Sequence, residues 1–278
     1  MLSLHTNNAA LSAQNSLSQT QGKLTTSMTR LSTGYRINSA SDDAAGLQIA
    51  TRLKAQTSGM ATAMRNTQNA TSMIQTAGGA LAEVKNMLIR MKDLATQAAD
   101  GASSADDRTA LSAEFNDLTA EIANVLGNTT FAGTKLLNTD GFAATTKVKF
   151  QIGATKSETM EVDVSTKVKT LNEDSAATKL KFTTQAEASD MITSTNDLIK
   201  VVSEIDSSLG AAANRLEHVH NNLANISANT KAATGRIMDT DFATESANMT
   251  TSQMLTQAGT AMLKQSNSMS SMVMSLLQ

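Results

Sequence analysis

Adjacent carboxylates at Asp42 and Asp43 are the first residues of this sequence whose types and spacing suggest chemistry. Two carboxylates that share a site can divide the acid and base roles of a reaction. Neighbouring residues on a helix do not face each other, however, and no further catalytic group accompanies this pair. Because Ser41 is a typical N-cap residue and acidic side chains favour the first helical turn, we interpret these residues as a helix start.

Histidine and cysteine, which supply most zinc ligands, are too sparse here for a metal site. The chain has three His and no Cys, which also excludes disulfides and thiol chemistry. His218 and His220 stand two positions apart, a spacing at which side chains diverge on a helix. We therefore predict that the protein is not an enzyme and holds no metal and no cofactor.

The composition favours a helical structural protein over a compact enzyme or a nucleic-acid-binding domain. Aromatic residues make up only 3% of the 278 residues, which is little for lining a substrate pocket. The net charge is -2, and no basic block suggests a nucleic-acid or membrane surface. Proline, which breaks helices, is absent. The sequence suggests neither a cleaved secretory signal nor a transmembrane helix.

Three long internal helices are predicted from apolar residues that recur three and four positions apart, as in coiled coils. They span about 57–99, 104–128 and 186–235. A helix as long as the first would extend about 60 Å. The short link between the first two favours antiparallel neighbours.

Between 129 and 184 the apolar period changes from 3.5 to 2, which is typical of strands. The alternating runs are 148–152, 160–164 and 180–182. Three or so short strands make too small a sheet for an independent domain with a pocket. We expect this sheet to pack against the helices.

Both ends of the chain combine apolar residues at heptad spacing with an almost uncharged polar surface. Within 249–278, Lys264 is the only charged residue, whereas a helix that faces water normally carries mixed charges. We predict that the apolar seam of this helix packs on the N-terminal helix of the same subunit and that its Ser, Thr and Gln face meets neighbouring subunits. The predicted polymerisation interface consists of Leu17, Leu24, Leu31, Leu255, Met262, Met269 and Leu276.

The predicted fold is mainly α, with long antiparallel coiled-coil helices, paired N- and C-terminal helices and a small β insert in the middle of the chain. Terminal coiled-coil helices are expected at 1–40 and 240–278, a helical bundle at 41–139 and 186–239, and a surface-exposed β insert at 140–185. Narrow apolar seams and uncharged ends favour a protein that polymerises.

Two segments of the chain resemble the signatures of bacterial flagellins. The N-terminal signature is matched by RLS at 30–32, Gly34, RINSA at 36–40, DDAAG at 42–46 and IA at 49–50. The C-terminal signature is matched by 235–260 and by the ending LLQ at 276–278. The resemblance covers about 140 N-terminal and about 90 C-terminal residues, and two signatures in the right order are far more specific than one short motif.

The resemblance implies a secreted structural subunit that self-assembles into the bacterial flagellar filament for motility. It implies export through the flagellar secretion apparatus without a cleaved signal, and assembly outside the cell into a helical homopolymer. Terminal helices would form an inner tube, heptad helices the next shell, and the middle segment would face outward. Implied partners are an export chaperone that binds the C-terminal helix, the filament cap and hook-associated junction proteins.

The resemblance extends to recognition by a host. Residues 88–95 resemble the segment read by the flagellin-sensing Toll-like receptor, in which Arg90 and Leu94 match key positions and Glu114 matches a third. Ile89 and Asp93 depart from the usual Gln and Glu. On the alternative interpretation, Arg90 and Glu114 are ordinary solvated or lateral-contact residues.

Two alternatives to a filament subunit remain open. One is a hook-filament junction protein of the same superfamily, although both strong signatures and the short middle argue against it. The other is an enzyme, because some flagellins carry a metallopeptidase in the middle segment. The His-Glu-x-x-His motif that such an enzyme needs does not occur here.

Overall fold

The computed structural model describes residues 7–138, 141–144, 147–176 and 179–275. Six helices and four short strands occupy these ranges. The helices are α1 (Asn8–Thr33), α2 (Ala44–Ala98), α3 (Ala105–Asn128), α4 (Ser165–Asp174), α5 (Gln185–Met238) and α6 (Phe242–Ser275). The strands are β1 (Thr130–Phe131), β2 (Thr134–Lys135), β3 (Val148–Gln151) and β4 (Thr159–Val162). The predicted fold class, mainly α with a small β insert, is confirmed.

The chain divides into two compact units. The terminal unit comprises Met1–Thr57 and Ala228–Gln278, and the central unit comprises Ser58–Ser227. Helices α2 and α5 contribute residues to both units. The three-part division expected from the sequence concerns layers of an assembly, and it stays a prediction.

The core of the central unit includes the apolar seams of α2, α3 and α5, which are buried as the heptad pattern predicted, and buried side chains of the segment between α3 and α5. Seam residues that are at most 1% exposed include Leu81, Leu88, Met91, Ile122, Ile205 and Leu209. Phe115 of α3 meets Phe182 edge-to-face, with 5.2 Å between the ring centroids. Arg90 of α2 forms an ion pair with Glu114 of α3, and the connection between the two helices is short. The two helices are therefore antiparallel neighbours.

Two helix boundaries differ from the predicted ones. The helix start predicted at 41–43 and the long helix predicted from about 57 belong to one helix, because α2 begins at Ala44 and continues without a break, so its 55 residues extend about 80 Å. Gly46, Ala50 and Leu53 are buried or half-buried at spacings of four and three, so the inner face of the helix continues through this segment. α5 continues through Gly235 to Met238, because a single Gly costs a helix only about 1 kcal/mol relative to Ala.

The middle of the chain has two separate hairpins and a helix rather than one small sheet. β3 and β4 pair antiparallel, with Phe150 opposite Met160, as the alternation predicted. The third predicted strand, at 180–182, is wrong, since Leu180 and Phe182 are buried but lie outside any strand. Alternation shows only which side chains are buried, and a loop that lies against a core can bury every second side chain without pairing as a strand.

Helix α4 was missed because its start lies inside a run that alternates like a strand. Val164, predicted to lie in a strand, is its N-cap residue. Val168 and Leu171, three positions apart, are fully buried on its inner face. Asn172 Nδ2 donates to Leu137 O at 2.8 Å, and Lys167 pairs with Glu204 of α5 at 3.2 Å. The insert therefore packs against the helices, as expected.

Carboxylates hold several helix ends and turns by accepting hydrogen bonds from hydroxyl and backbone N–H groups. Ser104 and Asp107 form a capping box at the start of α3, and the Ser104 hydroxyl and N–H lower the pKa of Asp107. Hydrogen bonds also lower the pKa of Asp42 (chiefly from Ser39), Glu187 (chiefly from Thr183) and Asp241 (chiefly from Thr244). Ionised carboxylates thus contribute to the folded state.

We expect the stability of the subunit to decline once the pH falls below about 4.5. The lowered folded pKa values mean that this stabilisation is present above the ordinary values of 3.8 for Asp and 4.5 for Glu, and is lost as the pH falls through the folded values. Thermal unfolding followed by circular dichroism from pH 7 to 3 checks this, and a constant melting temperature would contradict it. Asp107→Asn should weaken the acid dependence, and Asp106→Asn, in the same turn but outside the capping box, is the matched control.

Candidate assembly surface of the terminal helices

Helices α1 and α6 pack side by side in the terminal unit and run antiparallel. At one end, Asn7 Nδ2 donates to Ser266 Oγ at 3.1 Å. At the other end, Arg30 and Glu245 form an ion pair of 3.7 Å in which Glu245 is only 7% exposed. The predicted pairing of the N- and C-terminal helices is confirmed.

The contact between these helices uses small and polar residues of α6. Its buried and half-buried positions alternate at spacings of four and three: Glu245, Met249, Ser252, Thr256, Gly259, Leu263 and Ser266. A Cβ at Gly259 would lie 3.3 Å from Leu17 Cδ1 of α1, so the two helices approach closely here. Leu17, Leu24 and Leu31 are half-buried. The inner face of α6 is therefore a heptad repeat with little apolar bulk.

The more apolar heptad of α6 is exposed in the subunit. Leu255, Met262 and Met269, which we call the α6 stripe, are 56%, 66% and 59% exposed. Leu255 and Met262 each precede a residue of the inner face by one position, a rotation of about 100° around a helix with 3.6 residues per turn. The prediction that this seam packs on α1 was wrong, because two heptads overlap in this helix and the smaller one meets α1. Leu276 lies outside the described residues.

Large exposed apolar side chains concentrate in the terminal unit. Among the described residues there are eleven, of which only Ile89 and Ile226 lie in the central unit and the other nine in the terminal unit. The nine are Leu11, Met28, Tyr35, Ile49, Phe242, Met254, Leu255, Met262 and Met269. Single exposed apolar residues are normal, but a concentration on one part of a protein marks an interaction surface.

Sequence reasoning did not assign Phe242 or Met254 to an interface. Both are 58% exposed, and Met254 directly precedes the first residue of the α6 stripe. The sequence did carry a signal, since both residues are large and apolar and belong to a nearly uncharged helix. A search for heptads finds a single apolar seam, however, and these two residues lie outside it.

Little charge opposes close contact between copies at α1 and α6. The two helices carry four charged residues, and Arg30 and Glu245 pair with each other. Lys23 and Lys264 are the remaining two. Charge repulsion between many stacked copies would therefore be small.

The turns beside α1 and α6 contact each other and position the two helices. Gly34 ends α1 in the left-handed conformation at φ 75°, which favours Gly. Thr240 N–H donates to Gly34 O at 3.0 Å, and Arg36 N–H donates to Met238 O at 2.6 Å. The Arg36 guanidinium donates to Ile237 O at 2.9 Å. The two motif-bearing segments of the sequence thus form one junction.

Asp42 and Asp43 hold the turn that follows α1. Asp42 Oδ2 accepts the backbone N–H groups of Asn38 at 3.1 Å and Ser39 at 2.9 Å. Asp43 Oδ1 accepts the N–H of Gly46 at 2.9 Å and so caps α2, a role predicted for Ser41. Both carboxylates have structural partners, which fits a helix start rather than a catalytic pair.

Arg90, Leu94 and Glu114 do not form one continuous surface. Arg90 Nη2 lies 2.7 Å from Glu114 Oε1, and the two side chains are 52% and 46% exposed. Leu94 is 1% exposed and belongs to the core. Leu94 therefore supports α2 from within and offers no surface to a partner in the folded subunit, which corrects its predicted role as a direct contact.

No metal site is evident in the part of the chain that the structure describes, since no three His, Cys, Asp or Glu side chains cluster there. Within the same ranges, none of the helices is both long and apolar enough to cross a membrane. On α5, His218 is exposed and His220 is half-buried.

Two family models match this chain. The model of the bacterial flagellin N-terminal helical region matches residues 4–141, and that of the bacterial flagellin C-terminal helical region matches residues 192–277. The matched ranges include both terminal helices and the junction between their turns.

Similar proteins align with most or all of the chain. A flagellin of Halalkalibacterium halodurans is 41% identical over 251 residues, which are 90% of each chain. Flagellin A of Vibrio anguillarum is 34% identical in an alignment that is 381 positions long with its gaps and that covers both chains in full.

Two solved structures are similar to this chain. A crystal structure of Bacillus cereus flagellin matches 57% of this chain and 88% of its own, with a TM-score of 0.50 and 32% identity. A putative flagellar hook-associated protein from Vibrio parahaemolyticus shares the fold, with a TM-score of 0.56 at 17% identity over 71% of this chain and 100% of its own.

Proposed function

We propose that the terminal helices of this chain, which belongs to the bacterial flagellin family, form the main contacts between subunits of the flagellar filament. The chain is a structural subunit that self-assembles into this filament, which serves motility. One observation carries the proposal: Leu255, Met262 and Met269 are exposed on a helix whose other face already packs on α1.

Burial of the α6 stripe would supply a driving force for polymerisation. Full burial of a Leu or Met side chain contributes about 1.5–3 kcal/mol, and each subunit brings three such side chains. In a helical polymer one surface meets a different surface of the next copy. The proposed interface also includes the part of Leu17, Leu24 and Leu31 that α6 leaves exposed, since these residues are only half-buried. Leu276 continues the heptad of the α6 stripe in the sequence.

The proposed layers of the filament follow the three divisions of the sequence. The terminal helices at 1–40 and 240–278 would form the inner tube, and the helical bundle at 41–139 and 186–239 the next shell. The insert at 140–185 would face outward. This placement is supported by the family models, which leave residues 142–191 unmatched. The unmatched range nearly coincides with the insert.

Electron microscopy of the purified full-length chain tests the filament proposal. A flagellin should grow long filaments by itself once its concentration exceeds a critical value. The alternative, a hook-filament junction protein, should not. Short or absent filaments over a wide range of concentrations and salt conditions would favour the alternative.

We extend the proposal to export and to assembly partners. Such a subunit would leave the cell through the flagellar secretion apparatus without a cleaved signal, and its assembly would involve the filament cap and hook-associated proteins. Because α6 exposes apolar side chains before assembly, an export chaperone that covers α6 is the proposed partner in the cell. Calorimetric titration of that chaperone with the chain, with and without residues 249–278, tests this, and equal affinities would contradict it. No catalytic activity is assigned.

Recognition by the flagellin-sensing Toll-like receptor is proposed through the exposed pair of Arg90 and Glu114, supported by their mutual contact across α2 and α3. Leu94 would act indirectly, by holding α2 in the core. Arg90→Ala should weaken signalling in receptor-reporter cells with little loss of stability, since exposed ion pairs contribute only about 0–1 kcal/mol. Arg65→Ala removes another exposed arginine of α2 and is the control. Equal signalling by both variants would contradict the proposal.

A further inference from the structure

We propose that Met254, Met262 and Met269 form an oxidant-sensitive site, and that their conversion to sulfoxides blocks assembly of the free subunit. The proposal rests on the assembly role of the α6 stripe given above. These three side chains are 58%, 66% and 59% exposed on one helix, so their sulfur atoms lie within reach of a dissolved oxidant.

Met28 of α1 is 52% exposed as well, whereas three methionines of the central unit lie in a different environment. Met60, Met91 and Met160, in the central unit, are 2%, 0% and 1% exposed. Oxidation requires access of the oxidant to the sulfur, so these residues should react far more slowly. The sequence contains 16 Met and no Cys, and therefore no thiol competes for the oxidant.

The reaction with hydrogen peroxide balances without a further reactant. The thioether sulfur attacks one peroxide oxygen, an S–O bond forms and the O–O bond breaks. Sulfur is oxidised by two electrons, and the released hydroxide takes up the remaining peroxide proton and leaves as water. The product is a polar sulfoxide in place of an apolar thioether.

A sulfoxide on this surface opposes assembly for a physical reason. The oxygen of a sulfoxide is a hydrogen-bond acceptor, and burying such a group without a donor is costly. The copies that would cover the α6 stripe and the adjoining Met254 must bury several of these groups at once. In an assembled filament the same side chains would be covered, so the sensitivity belongs to the unassembled subunit. Methionine sulfoxide reductases would restore the thioethers.

Limited treatment of the unassembled full-length chain with hydrogen peroxide tests the proposal. Peptide mapping by mass spectrometry should find sulfoxide at Met254, Met262 and Met269 before Met60, Met91 and Met160, while circular dichroism shows an intact fold. The critical concentration for filament growth should rise at least about tenfold, which corresponds to about 1.4 kcal/mol per subunit. Treatment with sulfoxide reductases and dithiothreitol should reverse the rise.

A matched pair of variants assigns the effect to this site. Sensitivity is the ratio of critical concentrations with and without peroxide for the same variant, so changes in basal assembly cancel. The triple variant Met254→Leu, Met262→Leu and Met269→Leu should have a ratio near one, and Met60→Leu with Met91→Leu should keep the ratio of the parent chain. A triple variant as sensitive as the parent would overturn the proposal.

Failure of this inference and failure of the proposed function give different results. An untreated chain that forms no filaments contradicts the proposed function. If the untreated chain forms filaments, and the treated chain forms them equally well although sulfoxide is mapped at all three positions, only the oxidation proposal is contradicted. If the triple variant does not assemble, the deciding test is whether sulfoxide reductases restore filament growth of the oxidised parent chain. Failure to restore growth would overturn the proposal.

Discussion

Met262→Asp should abolish filament growth while the subunit stays folded. Met262 is 66% exposed in the subunit, so an aspartate there remains hydrated and the fold of the free chain is barely affected. In the filament the same carboxylate would be buried without a partner. An uncompensated buried charge costs about 3–5 kcal/mol, which raises the critical concentration by roughly 100-fold to more than 1,000-fold. Sedimentation and electron microscopy measure this directly.

Two controls make the Met262 result specific. Ile226→Asp places the same charge on an exposed apolar position of the central unit and should leave filament growth close to that of the parent. Met262→Leu keeps the apolar character and should still assemble. Filaments of Met262→Asp at the concentration that suffices for the parent chain would remove the α6 stripe from the interface.

Phe115→Ala should strongly destabilise the central unit. Phe115 is fully buried and meets Phe182 edge-to-face, so truncation removes the ring contact and leaves a cavity. Replacing a buried Phe by Ala typically costs about 3–5 kcal/mol. For a domain of this size that corresponds to a fall in melting temperature of about 6–20 °C. Thermal unfolding of the unassembled chain by circular dichroism gives the value.

Phe242→Ala is the matched control for this experiment. Phe242 is 58% exposed in the subunit, and substitutions of exposed residues usually change stability by less than about 0.5 kcal/mol. A double-mutant cycle with Phe182→Ala should show that Phe115 and Phe182 are coupled, since aromatic pairs contribute about 0.5–1.5 kcal/mol beyond their buried area. Equal melting temperatures for Phe115→Ala and the parent chain would show that the central core repacks without loss.

The helical core followed from the sequence because periodicity and burial are directly linked in a long helix. Residues such as Leu81, Leu88 and Leu209 recur at spacings that place them on one face, and an apolar face of a long helix is stable only when it is covered. The residue at which a helix begins was predicted less accurately, because several neighbouring residues can each act as the N-cap. Asp43 rather than Ser41 caps α2.

The insert was only partly predictable, because short segments carry weak signals. The β3–β4 pairing followed from alternation, but the same alternation at Leu180 and Phe182 reflects burial of a loop in the central core. α4 has ten residues and two fully buried apolar side chains. Such a short segment folds as its tertiary contacts require, whatever its own periodicity suggests.

The sequence by itself determined that both ends of the chain are helices with apolar seams, that they pair, and which seven positions to propose for polymerisation. Only the tertiary structure decided which face of α6 is covered inside the subunit. Two heptads overlap there, and the one with Ser252, Thr256 and Gly259 packs on α1, because small side chains let the helices approach. A heptad repeat shows that a face needs a partner but not whether that partner is the same chain or another copy. We therefore propose the exposed Leu255, Met262 and Met269 as contacts with neighbouring copies.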